Sequence, residues 1–135
     1  MAWEADNGNV VSLNASTGLR QYRFVTMKDG GNVGYPTGST VGQPVIGVIV
    51  SEGTTGSTRD PQAVAVAYAG VVKVEAEAST LTAGAWVSAS TVGRAQPATN
   101  AGDARVGIVV GGSSGAANHV LSVLLVPYGS TSVAP

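Results

Sequence analysis

The sequence contains no cysteine, few charged residues and few aromatic ones. Of its 135 residues, 7 are basic and 8 are acidic, so the net charge is −1. Without cysteine there is no disulfide framework and no thiolate metal site. A chain so close to neutral lacks the cations that neutralise phosphates in a nucleic-acid complex. We therefore expect no metal, no cofactor and no nucleic-acid partner.

Long hydrophobic runs are absent as well. The longest apolar stretch, residues 120–127, is interrupted by Ser122, and a membrane-spanning helix needs about 20 apolar residues. The first residues contain Glu4 and Asp6 and no apolar run, which is not typical of a signal peptide or a lipid anchor. These features predict synthesis in the cytoplasm and no membrane partner.

The composition favours β-structure. The chain has 22 valines against six leucines, together with 19 glycines, and β-branched residues pack well on pleated surfaces. Clusters of Gly, Pro, Ser and Asn separate short runs of alternating polarity, a pattern typical of an all-β protein. The sequence predicts a small single-domain β-sandwich or partly closed β-barrel. The predicted strands are 20–27, 45–51, 62–69, 71–77, 85–89, 94–97, 104–110 and 119–126.

Three segments are expected along the chain: an extended N-terminal arm at 1–19, the β domain at 20–127 and a C-terminal tail at 128–135. The arm has too few apolar residues to fold alone but enough to bind a neighbour as a strand or hook. Its candidate contact residues, followed directly by Arg20, are Trp3, Val10, Val11, Leu13 and Leu19. Alternatively, the arm packs on its own domain.

The chain contains a short internal similarity. The run Val45-Ile46-Gly47-Val48-Ile49-Val50 resembles Arg105-Val106-Gly107-Ile108-Val109-Val110, 60 residues later. Both runs lead through a loop into an alternating strand, which suggests two related units in one core. A glycine inside each run marks a bulge or the close approach of another backbone. Chance similarity in a chain so rich in valine and glycine is the alternative.

Few residues suggest catalysis. Residues 111–115 match the Gly-x-Ser-x-Gly pattern of hydrolase nucleophiles, and His119 follows Ser113 closely. The pattern requires a helix after the serine, and the segment is too short for one, so a surface loop is favoured. Glu75 and Glu77 share one strand face, where they could act as an acid/base pair or bind Ca²⁺, although a solvated strand edge is the simpler interpretation.

Several short motifs follow one another in an order that characterises a known family. They are Tyr22-Arg23-Phe24-Val25, Ile46-Gly47-Val48-Ile49, Ala69-Gly70-Val71-Val72, Leu81-Thr82-Ala83-Gly84-Ala85-Trp86-Val87, Val92-Gly93-Arg94-Ala95, Val106-Gly107-Ile108-Val109 and a final Val-Leu-Ser-Val-Leu-Leu. Over residues 20–127 this order resembles the small capsid decoration (cement) proteins of tailed bacteriophages. The chain departs from the family at Ala85, where an acid is usual, and in its longer loop at 52–61.

The resemblance implies a structural protein of the virion and not an enzyme. Such a protein binds the major capsid protein on the outside of the phage head and stabilises the shell by bridging subunits. It also implies a homo-oligomer, with a homotrimer favoured, and it makes the arm residues Trp3, Val10, Val11, Leu13, Leu19 and Arg20 the candidate capsid contacts. The alternatives are a carbohydrate- or receptor-binding β-sandwich, which needs a platform of exposed aromatic residues, and a hydrolase that uses Ser113 and His119.

Overall fold

A computed structural model describes residues 9–15, 18–37, 44–51, 62–77, 80–99, 103–112 and 118–126. In these ranges the chain forms ten strands and one short 3-10 turn, Asp29–Gly31, which confirms the all-β class. The described ranges hold no helix long and apolar enough to cross a membrane. The strands are β1 (Val10–Ala15), β2 (Phe24–Met27), β3 (Val33–Gly34), β4 (Val45–Ile49), β5 (Gln62–Ala67), β6 (Val71–Glu75), β7 (Trp86–Ala89), β8 (Ala95–Pro97), β9 (Gly107–Gly111) and β10 (Val120–Leu125).

The first five strands, here called the first half, form a closed barrel in the order β1-β3-β2-β4-β5. Strand β5 returns to β1 along six antiparallel pairs, from Val10 with Ala67 to Ala15 with Gln62. The barrel closes on its other side through one parallel pair, Ala15 with Val33. Strands β1 and β5 are therefore both essential to the wall.

The last five strands, the second half, form a sheet in the order β6-β10-β9-β7-β8. Its edge strands meet at one parallel bridge, Ala76 with Ala95, beside which the Glu77 N–H donates to the Ala95 carbonyl (2.8 Å). When β6 to β10 are matched in turn to β1 to β5, both halves have the same neighbours, strand directions and single parallel closure. The two halves therefore share one topology.

Residues 9–15, expected to belong to an arm, instead form part of the barrel wall. Leu13 and Ala15 belong to the interior of this barrel, whereas Ser12 and Asn14 are exposed, as alternation along a strand requires. Val11, nearer the start of the strand, is 40% exposed. Ala15 and the nearby Leu19 are 0% and 2% exposed. Of the expected arm, residues 1–8 and 16–17 lie outside the described ranges, as does the expected tail at 128–135.

The interiors of the halves correspond position by position. The first barrel encloses a cluster of seven buried residues: Ala15, Leu19, Val25, Val33, Ile49, Val64 and Val66. Their equivalents are all buried in the second cluster: Ala76, Leu81, Val87, Ala95, Val109, Leu121 and Val123. The strand registers give this equivalence for six of the seven positions. Leu19 and Leu81 match because each lies five residues before an equivalent position, Phe24 and Trp86.

Backbone hydrogen bonds and dihedral angles repeat too. Tyr22 has a φ of 65° and its equivalent Gly84 has a φ of 92°. The Tyr22 N–H donates to the Ile49 carbonyl (2.8 Å), and the Gly84 N–H donates to the Val109 carbonyl (2.7 Å). This agreement supports the hypothesis of two related units and extends it from two strands to five.

The repeated glycines have the role expected from the sequence. A Cβ on Gly47 would overlap the Ala67 carbonyl oxygen, and a Cβ on Gly107 would lie 2.5 Å from a Val123 methyl and 2.9 Å from the Leu124 carbonyl oxygen. In both halves the glycine lets the neighbouring strand approach closely.

The halves pack against each other through an outer face of the first one. The side chains of this Phe24 face, defined as Phe24, Val48, Val50 and Ala67, point away from the first barrel's interior. Phe24, Val48 and Ala67 are buried in the cluster that otherwise consists of second-half residues, and Val50 packs against it. The second half thus covers this face.

Candidate functional site

A buried ion pair joins the halves. Arg23, directly before β2, is 3% exposed, and its guanidinium lies 2.9 Å from Glu75 Oε2 at the end of β6. Arg23 Nε also donates to that oxygen (3.0 Å), and Nη1 donates to the Val92 carbonyl (2.9 Å). Breaking such a pair on one side leaves an uncompensated buried charge, which costs about 3–5 kcal/mol.

Further charges extend this pair into a cluster. Arg94 lies 3.8 Å from Glu75 and 3.6 Å from Glu77, and its Nη2 donates to the Asn118 side-chain oxygen (2.7 Å). Glu75 is 14% exposed, so it does not lie on the solvated strand edge expected from the sequence. Since each carboxylate faces a guanidinium, the arrangement fits a structural role better than an acid/base pair.

An apolar groove opens at the join of the halves, with a volume of about 230 Å³. It lies between the N-terminal end of β4, the residue after β5 and the C-terminal end of β10. Its lining consists of Pro44, Val45, Ile46, Gly47, Tyr68, Val106, Leu125 and Val126. None of these side chains is charged, so the groove suits apolar groups of a ligand or another protein and offers no nucleophile beyond the Tyr68 phenol.

The groove continues onto an exposed apolar rim. Tyr68 is 44% exposed and its N–H donates to the Asn9 carbonyl (2.9 Å). Val10 is 37% exposed and pairs with Ala67, the residue before Tyr68. We call Val10, Tyr68 and the lining residues the groove surface.

The structure separates the contact residues expected from the sequence. Val10, Val11 and Arg20 are exposed, while Leu13 is partly buried. Leu19 is buried in the core of the first barrel, so its side chain is not accessible to a partner. Trp3 lies outside the described residues.

A second apolar surface lies on the outer side of the second half. Trp86 pairs with Ile108, and Ile108 pairs with Leu124 across β7, β9 and β10. Leu124 and Val110 are 40% and 39% exposed, and Trp86 and Ile108 are partly buried. We call these four residues the Trp86 face. The Arg105 guanidinium lies 5.2 Å from the centre of the Trp86 ring, within the range of a cation–π contact.

The structure describes only some of the residues considered for catalysis or metal binding. No group of three or more His, Asp or Glu side chains in the described ranges could hold a metal ion. His119 is exposed just before β10, while Ser113 lies outside the described residues. Arg23, which lies between Arg20 and Lys28 in the sequence, is buried and paired with Glu75, so it is not part of an exposed basic patch.

Sequence reasoning missed both the groove and the ion cluster. The groove forms where two halves meet, so its lining residues are far apart in the sequence. Arg23 and Glu75 are 52 residues apart, and no local pattern marks them as partners. The internal similarity was the one signal in the sequence that could have located them, because two repeated units must meet at an interface.

No protein-family model matches the chain, and no curated protein matches it significantly.

Proposed function

We propose that this chain is a capsid decoration protein that binds the outside of a phage head and stabilises it by bridging capsid subunits. The observation that carries the proposal is the groove surface, an exposed apolar cleft with an uncharged lining on a β-structured body. Such a surface suits apolar side chains of another protein, since large exposed apolar patches often mark interaction sites. The proposal agrees with the motif order over residues 20–127.

Bridging requires a body that does not open under load. The first half is a closed barrel, and the halves are fastened by the Arg23–Glu75 pair. A rigid body that contacts two capsid subunits adds its binding energy to the work needed to separate them. In this proposal the protein resides on the capsid exterior, its partner is the major capsid protein and it catalyses no reaction.

The capsid contact is proposed to centre on Tyr68 and Val10, with Val11 and Arg20 exposed in the same half. A tyrosine that is 44% exposed beside an apolar cleft resembles the aromatic residues that carry much of the energy at protein interfaces. Trp3 remains a candidate from the sequence. Leu19 is withdrawn from the set because of its burial.

The test uses heads of the phage that encodes the chain, prepared without this protein. Wild-type protein is expected to sediment with the heads and to add density on their outer surface in electron cryo-microscopy. Tyr68→Ala is expected to weaken binding by about tenfold or more, as for a central interface aromatic. Thr82→Ala, at another exposed position, is the matched control. Unchanged binding of a folded Tyr68→Ala protein would remove the groove from the proposal, and no binding of the wild type would reject it.

One observation favours carbohydrate or receptor binding as a second candidate function: an exposed Tyr68 beside a cleft can stack on a sugar ring. The Trp86 ring is less suited to that role because Arg105 stacks on it. A glycan array with wild type and Tyr68→Ala distinguishes the candidates. Binding to a defined glycan, lost in the variant, would favour this function, whereas head binding unaffected by free sugar favours the capsid.

A further inference from the structure

The two halves contact each other asymmetrically. The Phe24 N–H of the first half donates to the Gly93 carbonyl of the second (2.7 Å), and the Glu75 N–H of the second donates to the Tyr22 carbonyl of the first (2.9 Å). The reciprocal partners would be Trp86 with Gly31. Both are described, and no backbone hydrogen bond joins them. The join is therefore head-to-tail: one face of the first half meets a different face of the second.

A head-to-tail join leaves one copy of each face uncovered. The Phe24 face is buried under the second half. Its equivalent is the Trp86 face, in which Trp86 matches Phe24, Ile108 matches Val48, and Leu124 matches Ala67. This second copy is partly exposed, with Leu124 at 40% and Val110 at 39%. The same apolar row is thus covered once and open once.

The face that packs against the Phe24 face is also present twice, once covered and once open. In the second half, the turn at residues 90–94 packs on the first half, and a Cβ on Gly93 would lie 2.6 Å from the Phe24 carbonyl oxygen. The equivalent turn in the first half is 28–32, and a Cβ on Gly31 would meet no atom within 4 Å. We call this turn, together with the exposed neighbouring-strand residue Asn14, the Gly31 face.

Both charged residues of the covered join are replaced by uncharged residues at the open faces. At the covered join, Arg23 pairs with Glu75. The equivalent of Arg23 is Ala85 on the Trp86 side, and the equivalent of Glu75 is Asn14 on the Gly31 face. A contact between the open faces would therefore bury neither member of that ion pair without its partner, which avoids a large penalty. The Trp86 face keeps one cation, Arg105, which lies 5.2 Å from the centre of the Trp86 ring.

We propose that the Trp86 face of one copy binds the Gly31 face of a second copy, so that the join within the chain is repeated between chains. This contact is heterologous, and repetition of such contacts produces a closed ring when the rotation closes and a filament when it does not. A homotrimer, as expected from the sequence, is one closed form. The proposal does not rest on capsid binding, because it concerns faces other than the groove surface.

The test blocks one face at a time in the full chain. Leu124→Lys places a charge on the Trp86 face, and Asn14→Arg places a charge on the Gly31 face opposite Ala85, the uncharged equivalent of Arg23. Both side chains are exposed, so each variant is expected to fold. Each is expected to weaken self-association by at least about tenfold, as for hot-spot changes. Thr82→Lys adds the same charge at an exposed site outside both faces and is expected to assemble as the wild type does.

Mixing the two blocked variants decides the question. Each retains one functional face, so an equimolar mixture is expected to form a 1:1 heterodimer that cannot grow, visible by native mass spectrometry and sedimentation velocity. A wild type that stays monomeric up to high micromolar concentration would overturn the proposal. So would a homodimer of Asn14→Arg alone, which indicates a symmetric contact, or a mixture that stays monomeric. Circular dichroism melting confirms that the variants are folded.

Discussion

Gly31 and Gly93 occupy equivalent turn positions with φ angles of 79° and 77°, yet Gly31 faces open space while Gly93 lies against the backbone of Phe24. The backbone conformation comes from the repeat, whereas the packing comes from the position of each half in the chain. Comparing substitutions at Gly31 and Gly93 therefore separates the cost of a left-handed conformation from the cost of close packing.

We expect Gly31→Ala to lower the free energy of unfolding by about 1–2 kcal/mol, the cost of a left-handed conformation for a residue with a Cβ. Gly93→Ala carries that cost plus overlap with the Phe24 carbonyl, which adds about 1–3 kcal/mol. Urea denaturation of both variants measures the difference. Equal losses would show that the join does not tighten around Gly93.

The two close-approach glycines lead to a second prediction. Gly47→Ala and Gly107→Ala should each destabilise the fold by about 1–3 kcal/mol or more, because the added methyl group meets a neighbouring strand at both positions. Gly84→Ala is the control, since its φ is 92° and its Cβ direction is open, so it carries the conformational cost alone. Thermal melts that leave either close-approach variant as stable as the wild type would contradict the strand spacing.

The Arg23–Glu75 ion pair at the join leads to a third prediction. Glu75→Gln leaves the guanidinium of Arg23 without its carboxylate and should destabilise by about 3 kcal/mol or more. Glu77→Gln should cost less than about 1 kcal/mol, because that side chain is 33% exposed and lies 3.6 Å from its partner. The double variant Arg23→Ala with Glu75→Asn copies the residues at the open faces and should be more stable than Glu75→Gln. A double variant less stable than Glu75→Gln would be evidence against this account.

Removal of the residues before Leu19 leads to a fourth prediction. A chain that begins at Leu19 lacks β1 and with it all six pairs to β5 and the closing pair to β3. We expect loss of the cooperative melt, because β3 and β5 become open edges and the interior of the first barrel is exposed. If residues 1–19 were instead an arm that only binds a neighbour, as the sequence suggested, the truncated chain would keep a stable core and lose only partner binding. A sharp melt near the wild-type temperature would support that earlier expectation.

The fold class and most strands could be predicted because valine-rich alternation is a local signal. The sequence predicts an arm at strand β1 because turn-forming residues such as Asn9, Asn14 and Gly18 surround few apolar ones, although Val11, Leu13 and Ala15 keep the period of two. Strand β3 has two residues, too few for any periodicity. The exposure of the Trp86 face could not be predicted, because it depends on how the two halves pack against each other, and no local pattern in the sequence specifies this.

Closure of the first barrel by its own fifth strand bears on synthesis. All five strands of this barrel, β1 to β5, lie between positions 10 and 67, so the barrel can close before the second half has left the ribosome, and domains commonly fold in this order. Until the second half arrives, Phe24, Val48 and Ala67 stay uncovered. Nascent chains on neighbouring ribosomes can pair through that surface, so slow translation after residue 70 is expected to raise misassembly, while rapid delivery of β6 to β10 protects the chain.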